Sequence, residues 1–119
     1  MERKMIKAYD TPIEDDNVLA DRIYNMTDTG GQRKVRVRIG IPILAGIGPY
    51  YICKVEIDDG ATRFKAFGGE DPLEALLASL TYVGTELWVY GGCDPSQLMW
   101  EGRREERSAN FPFTHENLV

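Results

Sequence analysis

One stretch decides most of what this chain can fold into: Gly68-Gly69-Glu70-Asp71-Pro72-Leu73-Glu74-Ala75-Leu76-Leu77-Ala78-Ser79-Leu80. Asp71 stands where a helix N-cap belongs. Pro72 takes the first helical position, where its missing N–H costs nothing, and Glu74 follows three residues after the cap, as in a capping box. Leu73, Leu76, Leu77, Leu80, Val83 and Leu87 then recur at three- and four-residue steps and form one apolar stripe. Glu74, Thr81, Thr85 and Glu86 fall mostly on the other side, and Gly91-Gly92 supplies the stop. The spacing predicts a helix of about 19 residues, roughly 28 Å long at 1.5 Å per residue. Gly84 inside it costs about 1 kcal/mol against alanine, which points to close approach against a sheet.

Everything before that helix reads as strand. Residues 18–28 are the first candidate, with Leu19 and Ile23 facing one way and Ala20, Tyr24 and Met26 the other. After the turn Thr29-Gly30-Gly31-Gln32, residues 34–39 alternate strictly, so Val35, Val37 and Ile39 share a buried face and Lys34, Arg36 and Arg38 the opposite one. Pro42 ends regular pairing there, and residues 44–49, with Gly46 and Gly48, read as a mobile loop. Residues 50–57 form the third strand, with Tyr51, Cys53, Val55 and Ile57 on one face. Asp58-Asp59-Gly60 makes a hairpin turn. Residues 61–67 return as the fourth strand, with Phe64 and Ala66 inward and Arg63 and Lys65 outward. A short fifth strand or extended cover follows at residues 97–100. The expected fold is α+β: an antiparallel four- to five-stranded meander with one long helix packed on one face. The organisation is an extended N-terminal arm (residues 1–17), a single domain (18–102) and a C-terminal tail (103–119), in which Phe111-Pro112-Phe113 is placed to dock onto the body.

Composition sets limits on function. A chain of 119 residues suits one core, and no apolar run approaches the length needed to span a bilayer. Met1-Glu2-Arg3-Lys4 leads into no apolar segment, which reads as no secretory signal and a cytoplasmic protein. In that compartment Cys53 and Cys93 are expected as free thiols. The net charge of −5 argues against non-specific nucleic-acid binding, which depends on neutralising phosphates. It suits a basic protein partner, or plain solubility.

No catalytic constellation is visible. His115, the one histidine, lies in the tail with no neighbour to orient it. Cys53 alternates with Val55 on an inward face and reads as a core thiol, while Cys93 lacks a helix N-terminus to lower its pKa. Two cysteines and one histidine make no zinc set, so no metal and no cofactor are expected. Asp58-Asp59 and Glu70-Asp71 are explained by the turn and the cap. Gly46-Ile47-Gly48 lacks the third glycine and following helix of a dinucleotide fingerprint. Gly68-Gly69 precedes a helix N-terminus, but Glu70, Asp71 and Glu74 would repel an anion there.

The constellation left over is a basic row. Arg36 and Arg38, Lys54, and Arg63 and Lys65 are expected to share the face away from the helix, interrupted by Glu56 and joined by Tyr50 and Phe67. Cross-strand ion pairing on a solvated sheet face is the plain explanation. A patch for an acidic partner, or for single-stranded nucleic acid by stacking and charge, is the functional one. In the arm, Glu14, Asp15 and Asp16 have no local duty and form the candidate contact patch among the acids.

The pieces Arg38-Ile39-Gly40-Ile41-Pro42, Gly69-Glu70-Asp71-Pro72-Leu73-Glu74-Ala75-Leu76, Leu98-Met99-Trp100 and Asn110-Phe111-Pro112 occur in an order that resembles a small family of uncharacterised bacterial proteins of about this length. The likeness covers about residues 18–113; Asn110 in place of glycine and the long acidic arm depart from the pattern. It implies the fold and a bacterial origin and no activity. In size and character such proteins are similar to toxin-neutralising immunity proteins. The expectation is therefore a small non-enzymatic cytoplasmic binding protein, of the immunity-inhibitor type, that meets a protein partner or itself without a membrane. The alternative is a nucleic-acid or anion-binding module using the basic face.

Overall fold

The computed structural model describes residues 9–28, 31–46, 50–90 and 98–100. The expected elements around His115, Cys93 and Phe111-Pro112-Phe113 lie outside these. Among the described residues, six strands form one antiparallel sheet: β1 (Val18–Asp28), β2 (Gly31–Gly40), β3 (Ile43–Leu44), β4 (Tyr51–Asp58), β5 (Thr62–Gly69) and β6 (Leu98–Trp100). Helix α1 spans Pro72–Tyr90 and packs on one face. The sheet runs β5–β4–β2–β1–β6, with the two-residue β3 pairing beside β2 on the same edge of β4. The chain thus meanders from β1 to β5, crosses the sheet as a helix, and returns at the far edge beside β1. The fold is α+β, as the alternation patterns require.

The helix begins as its sequence dictates. The Asp71 carboxylate accepts the Glu74 N–H at 2.8 Å, and the Glu74 side chain reaches back to the Glu70 N–H at 2.6 Å. The Glu74 N–H is a donor that a helix start otherwise leaves without a partner, and the return bond from Glu74 falls one residue before the cap. The expected stripe is only partly the buried one. Ala75, Ser79, Val83 and Leu87, spaced four apart, are fully buried, and Leu76 and Leu80 flank them. Leu73 and Leu77 face solvent at 62% and 53% exposure. Gly69 explains the phase: a Cβ there would stand 2.5 Å from the Ala75 backbone nitrogen, so the first turn rests directly on β5. Glycine fits beneath that turn without displacing it, and leucine at 73 or 77 is rotated away from it. Gly84 is buried, as expected for a glycine within a sheet-packed helix.

Across the sheet, the core comprises Tyr24, Val35, Val37, Ile39, Cys53, Val55 and Ile57, closed by Ala75, Val83 and Leu87. Each such aliphatic side chain contributes about 1.5–3 kcal/mol by leaving water. Pro42 interrupts β2 and leaves an irregular corner, where side chains take over from the ladder. The Cys53 Sγ donates to the Gly40 carbonyl at 3.3 Å, and the buried Ser79 hydroxyl donates to the Cys53 carbonyl at 3.1 Å. A buried polar pair of this kind is tolerable only when both members are satisfied.

Two expectations are corrected. Leu44 does not open a mobile loop: Ile43 and Leu44 pair with Ile52 and Tyr51, and the Ala45 N–H donates to the Tyr50 carbonyl at 2.7 Å. The faces of β5 are also exchanged. Asp58 pairs with Thr62, so three residues close the hairpin, and Lys54 lies opposite Ala66, Val55 opposite Lys65, and Ile57 opposite Arg63. Phe64 and Ala66 therefore face away from the helix, and Arg63, Lys65 and Phe67 face towards it. A two-residue Asp59-Gly60 turn would set Phe64 opposite Val55 and give the expected phase. One additional loop residue inverts every side chain of the strand. Gly60, at φ +112°, supplies the left-handed step, and the Asp58 and Asp59 carboxylates accept the Gly60 and Ala61 N–H groups.

Candidate binding face

The face away from the helix is built from alternate residues of four strands. β1 contributes Asp21 and Ile23, β2 contributes Arg36, Arg38 and Gly40, β4 contributes Ile52, Lys54 and Glu56, and β5 contributes Phe64, Ala66 and Gly68. Of the five expected cations, Arg36, Arg38 and Lys54 are gathered here. Arg63 and Lys65 are not: Lys65 shares the side of Val55, and Arg63 donates to Glu86 of α1 at 3.1 Å. Phe67 also leaves this face, stacking at a tilt on Tyr82 with ring centroids 4.9 Å apart. Tyr50 stays and lies over Gly68, where a Cβ would collide with its ring.

The three cations that remain are occupied. Arg36 makes a forked contact with Asp21, Nε to Oδ1 at 3.0 Å and Nη2 to Oδ2 at 2.5 Å. Arg38, only 19% exposed, has Glu56 at 3.4 Å, Asp15 at 3.7 Å and Asp21 at 3.8 Å around its guanidinium. Its Nε is buried without a hydrogen-bond partner, the Asp21 oxygen being too far to accept. Lys54 donates from Nζ to the Thr11 hydroxyl at 2.9 Å and to the Pro12 carbonyl at 3.2 Å. The basic row is therefore a lattice of internal pairs.

Lys54 holds the arm, which is not a free extension. Ile13 is 4% exposed and seats against Gly40, whose Cβ, were there one, would stand 3.5 Å from the Ile13 Cγ2. Asp15–Asn17 forms one 3-10 turn. Asn17 then clamps the end of β2 from both sides: its carbonyl accepts the Ile41 N–H at 2.8 Å and its side-chain amide donates to the Ile41 carbonyl at 3.3 Å. Glu14, Asp15 and Asp16 are left exposed at the rim of the face. The Tyr82 phenol is pushed up by burial, with the charges of Glu86 and Asp10 adding and that of Arg63 opposing.

The sequence missed Thr11, Ile13, Asn17 and Asp21 as parts of this face. A lone aliphatic residue between Pro12 and Glu14 was the available signal for a docked arm. Asp21 carried none, because its partners lie on the neighbouring strand and are set by the β1–β2 pairing, which runs unbroken from Ala20 to Asp28.

The hydrogen bond from Arg36 holds the Asp21 carboxyl below its ordinary value; burial opposes this and the charges of Arg36 and Arg38 reinforce it. A carboxyl lowered in the folded state stabilises above its unfolded pKa, and the gain is lost as pH falls through the folded value. Both partners are substantially exposed, so Asp21→Asn should cost no more than about 1 kcal/mol at neutral pH. Urea titrations should show that increment shrinking on acidification in the parent chain and absent in the variant.

Burial pushes the Cys53 thiol up, with Ser79 partly opposing, which is the behaviour of a core thiol rather than a nucleophile. Among the described residues, no group of three or more His, Cys, Asp or Glu side chains is placed to hold a metal ion. No helix among them is long and apolar enough to cross a membrane.

Neither the curated proteins nor the solved structures contain a match to this chain. A family model does match, over residues 20–113, which takes in the Arg38–Pro42 corner, the Gly69–Ala75 contact and β6 and leaves the docked arm almost wholly outside. The chain belongs to the family described as Domain of unknown function (DUF6968).

Proposed function

We propose that the chain is a small non-enzymatic cytoplasmic binding protein whose partner is another protein with a basic surface. The observation that supports this is the distribution of engaged and exposed charge on one face. Arg36, Arg38 and Lys54 are held by the chain's own carboxylates, hydroxyl and carbonyl, whereas Glu14 and Asp16, and Asp15 beyond its 3.7 Å approach to Arg38, stand exposed beside them. Such a rim draws a cationic partner and repels phosphate, so the nucleic-acid alternative has the weaker support. The buried free thiol at Cys53 fits a reducing compartment. Immunity-type inhibition, with a basic toxin-like chain as the partner, is the specific form of binding to test first.

The test is cross-linking of the tagged full chain in its native host, followed by identification of what co-purifies. The parent should retain a discrete basic protein in a salt-sensitive manner, and the double variant Glu14→Lys, Asp16→Lys should lose it while unfolding at the same temperature. Equal recovery by both chains, or recovery of nucleic acid instead, would overturn the proposal.

A further inference from the structure

The arm occupies the sheet face in the way a peptide ligand occupies a groove. Its contacts are few and of distinct kinds: an apolar anchor, Ile13, over the bare backbone of Gly40; a hydroxyl and a main-chain carbonyl, from Thr11 and Pro12, on the Lys54 ammonium; and a carboxylate, Asp15, near Arg38. The receiving side is complete without the arm. Gly40, Ile52, Lys54 and Ala66 all belong to strands β2, β4 and β5, within the family match, whereas the occupant precedes residue 20. Ile52 and Ala66 on this side are 1% and 0% exposed in the folded chain with the arm in place.

The geometry points to a peptide-binding groove over Gly40 and Lys54 that this chain fills with its own arm. The groove accepts in trans an extended segment of another protein with the same chemistry. That segment carries a β-branched aliphatic anchor preceded by a residue such as proline, which holds the chain extended and leaves its carbonyl free for Lys54. An acid two residues after the anchor lies in reach of Arg38. Gly40 presents bare backbone beneath the anchor, where an added Cβ would only come into ordinary contact with Ile13 at 3.5 Å, and the arm acts as a tethered competitor. A short tether presents its segment at an effective concentration on the order of millimolar, so an incoming segment binds well only once the arm has left. This inference does not rest on the acidic-rim proposal above, and either can fail alone.

The test uses the full chain and a fluorescent synthetic peptide spanning residues 9–17. Ile13→Asp removes the anchor and frees the groove. The folded variant should bind the peptide at least ten-fold more tightly than the parent chain does, and a scrambled peptide should not bind. Equal binding by parent and variant, no binding by the variant at millimolar peptide, or a variant that fails to fold would each overturn the inference; failure to fold would make the arm part of the core. Hydrogen exchange on the parent chain gives a second readout. The Ile41 amide, which donates to Asn17, should exchange through local opening and far faster than the amides pairing β2 with β4. Equal protection would show an arm that leaves only on global unfolding and would sink the idea. Concentration-dependent dimers of the parent would count against it too, by making the arm's partner a second copy.

Discussion

Replacing Gly69 with alanine should destabilise this fold strongly, and more than the same change at neighbouring Gly68. The added Cβ would stand 2.5 Å from the Ala75 nitrogen and 2.9 Å from the Glu74 carbonyl carbon. Both are backbone atoms in the capped first turn, and neither can rotate aside. Relief requires the helix head to lift from β5, which loosens the seat of Ala75 and strains the bonds that Asp71 and Glu74 make. Overpacking of this kind costs typically about 1–3 kcal/mol, and the immobile neighbour places Gly69→Ala at the upper end. Gly68→Ala is the internal control. Its nominal clash is as severe, at 2.4 Å, but the obstacle is the far end of the Tyr50 ring, which can swing away. Urea denaturation of the two variants should therefore separate them by at least 1 kcal/mol. Equal losses would mean that the helix head does not rest on Gly69.

The second large effect distinguishes two leucines that the sequence treats alike. Leu87 is fully buried between the helix and the strands, and Leu77, on the same apolar stripe, is 53% exposed. Truncating a buried leucine to alanine costs about 2–5 kcal/mol, through lost transfer energy and the cavity left behind. Leu87→Ala should fall within that range, a large part of the stability of a small domain. Leu77→Ala should change stability by no more than about 0.5 kcal/mol. Thermal and chemical melts of the pair would check the helix phase directly, and a reversed order would put the wrong face against the sheet.

What the sequence made legible was local. The capping residues fixed where α1 starts, and strict alternation fixed which way Val35, Val37 and Ile39 point. Parity alone also placed Tyr24 and Ala20 against Ile23, although a bulge precedes them. What it hid was the phase of β5. Hydrophobicity set Phe64 and Ala66 inward, whereas closure of the hairpin through Asp59-Gly60-Ala61 puts them on the far side and turns Arg63, Lys65 and Phe67 towards the helix. Lysine and arginine can lie on the inner side of an edge strand because their stems run along the flank while the charged ends reach water or a carboxylate such as Glu86. The stripe misled for a related reason. Six apolar residues cover a wider arc than one sheet contact needs, and only the small pair Gly69 and Ala75 shows which part of the arc is pressed against β5.

The candidate face was legible as a set of cations and not as a set of pairs. Arg36 and Arg38 were visible from the alternation of β2. Their neutralisation was not, because Asp21 and Glu56 come from strands on either side and Asp15 from a turn that exists only when Asn17 clamps Ile41. Burial around Arg38 makes the pairing there matter more than at Arg36, since removing Glu56 would leave a guanidinium poorly compensated in a low-dielectric setting.

That internal neutralisation is what turns a basic row into a face with an acidic rim, and it can be measured directly. The full chain should be titrated against a fluorescent single-stranded oligonucleotide at low ionic strength, where phosphate contacts are strongest. With Arg36, Arg38 and Lys54 occupied, anisotropy should stay flat across the accessible protein concentrations. A saturable rise that weakens steeply with added salt and disappears in Arg36→Glu, Arg38→Glu would show those cations available to phosphate, and would contradict the account.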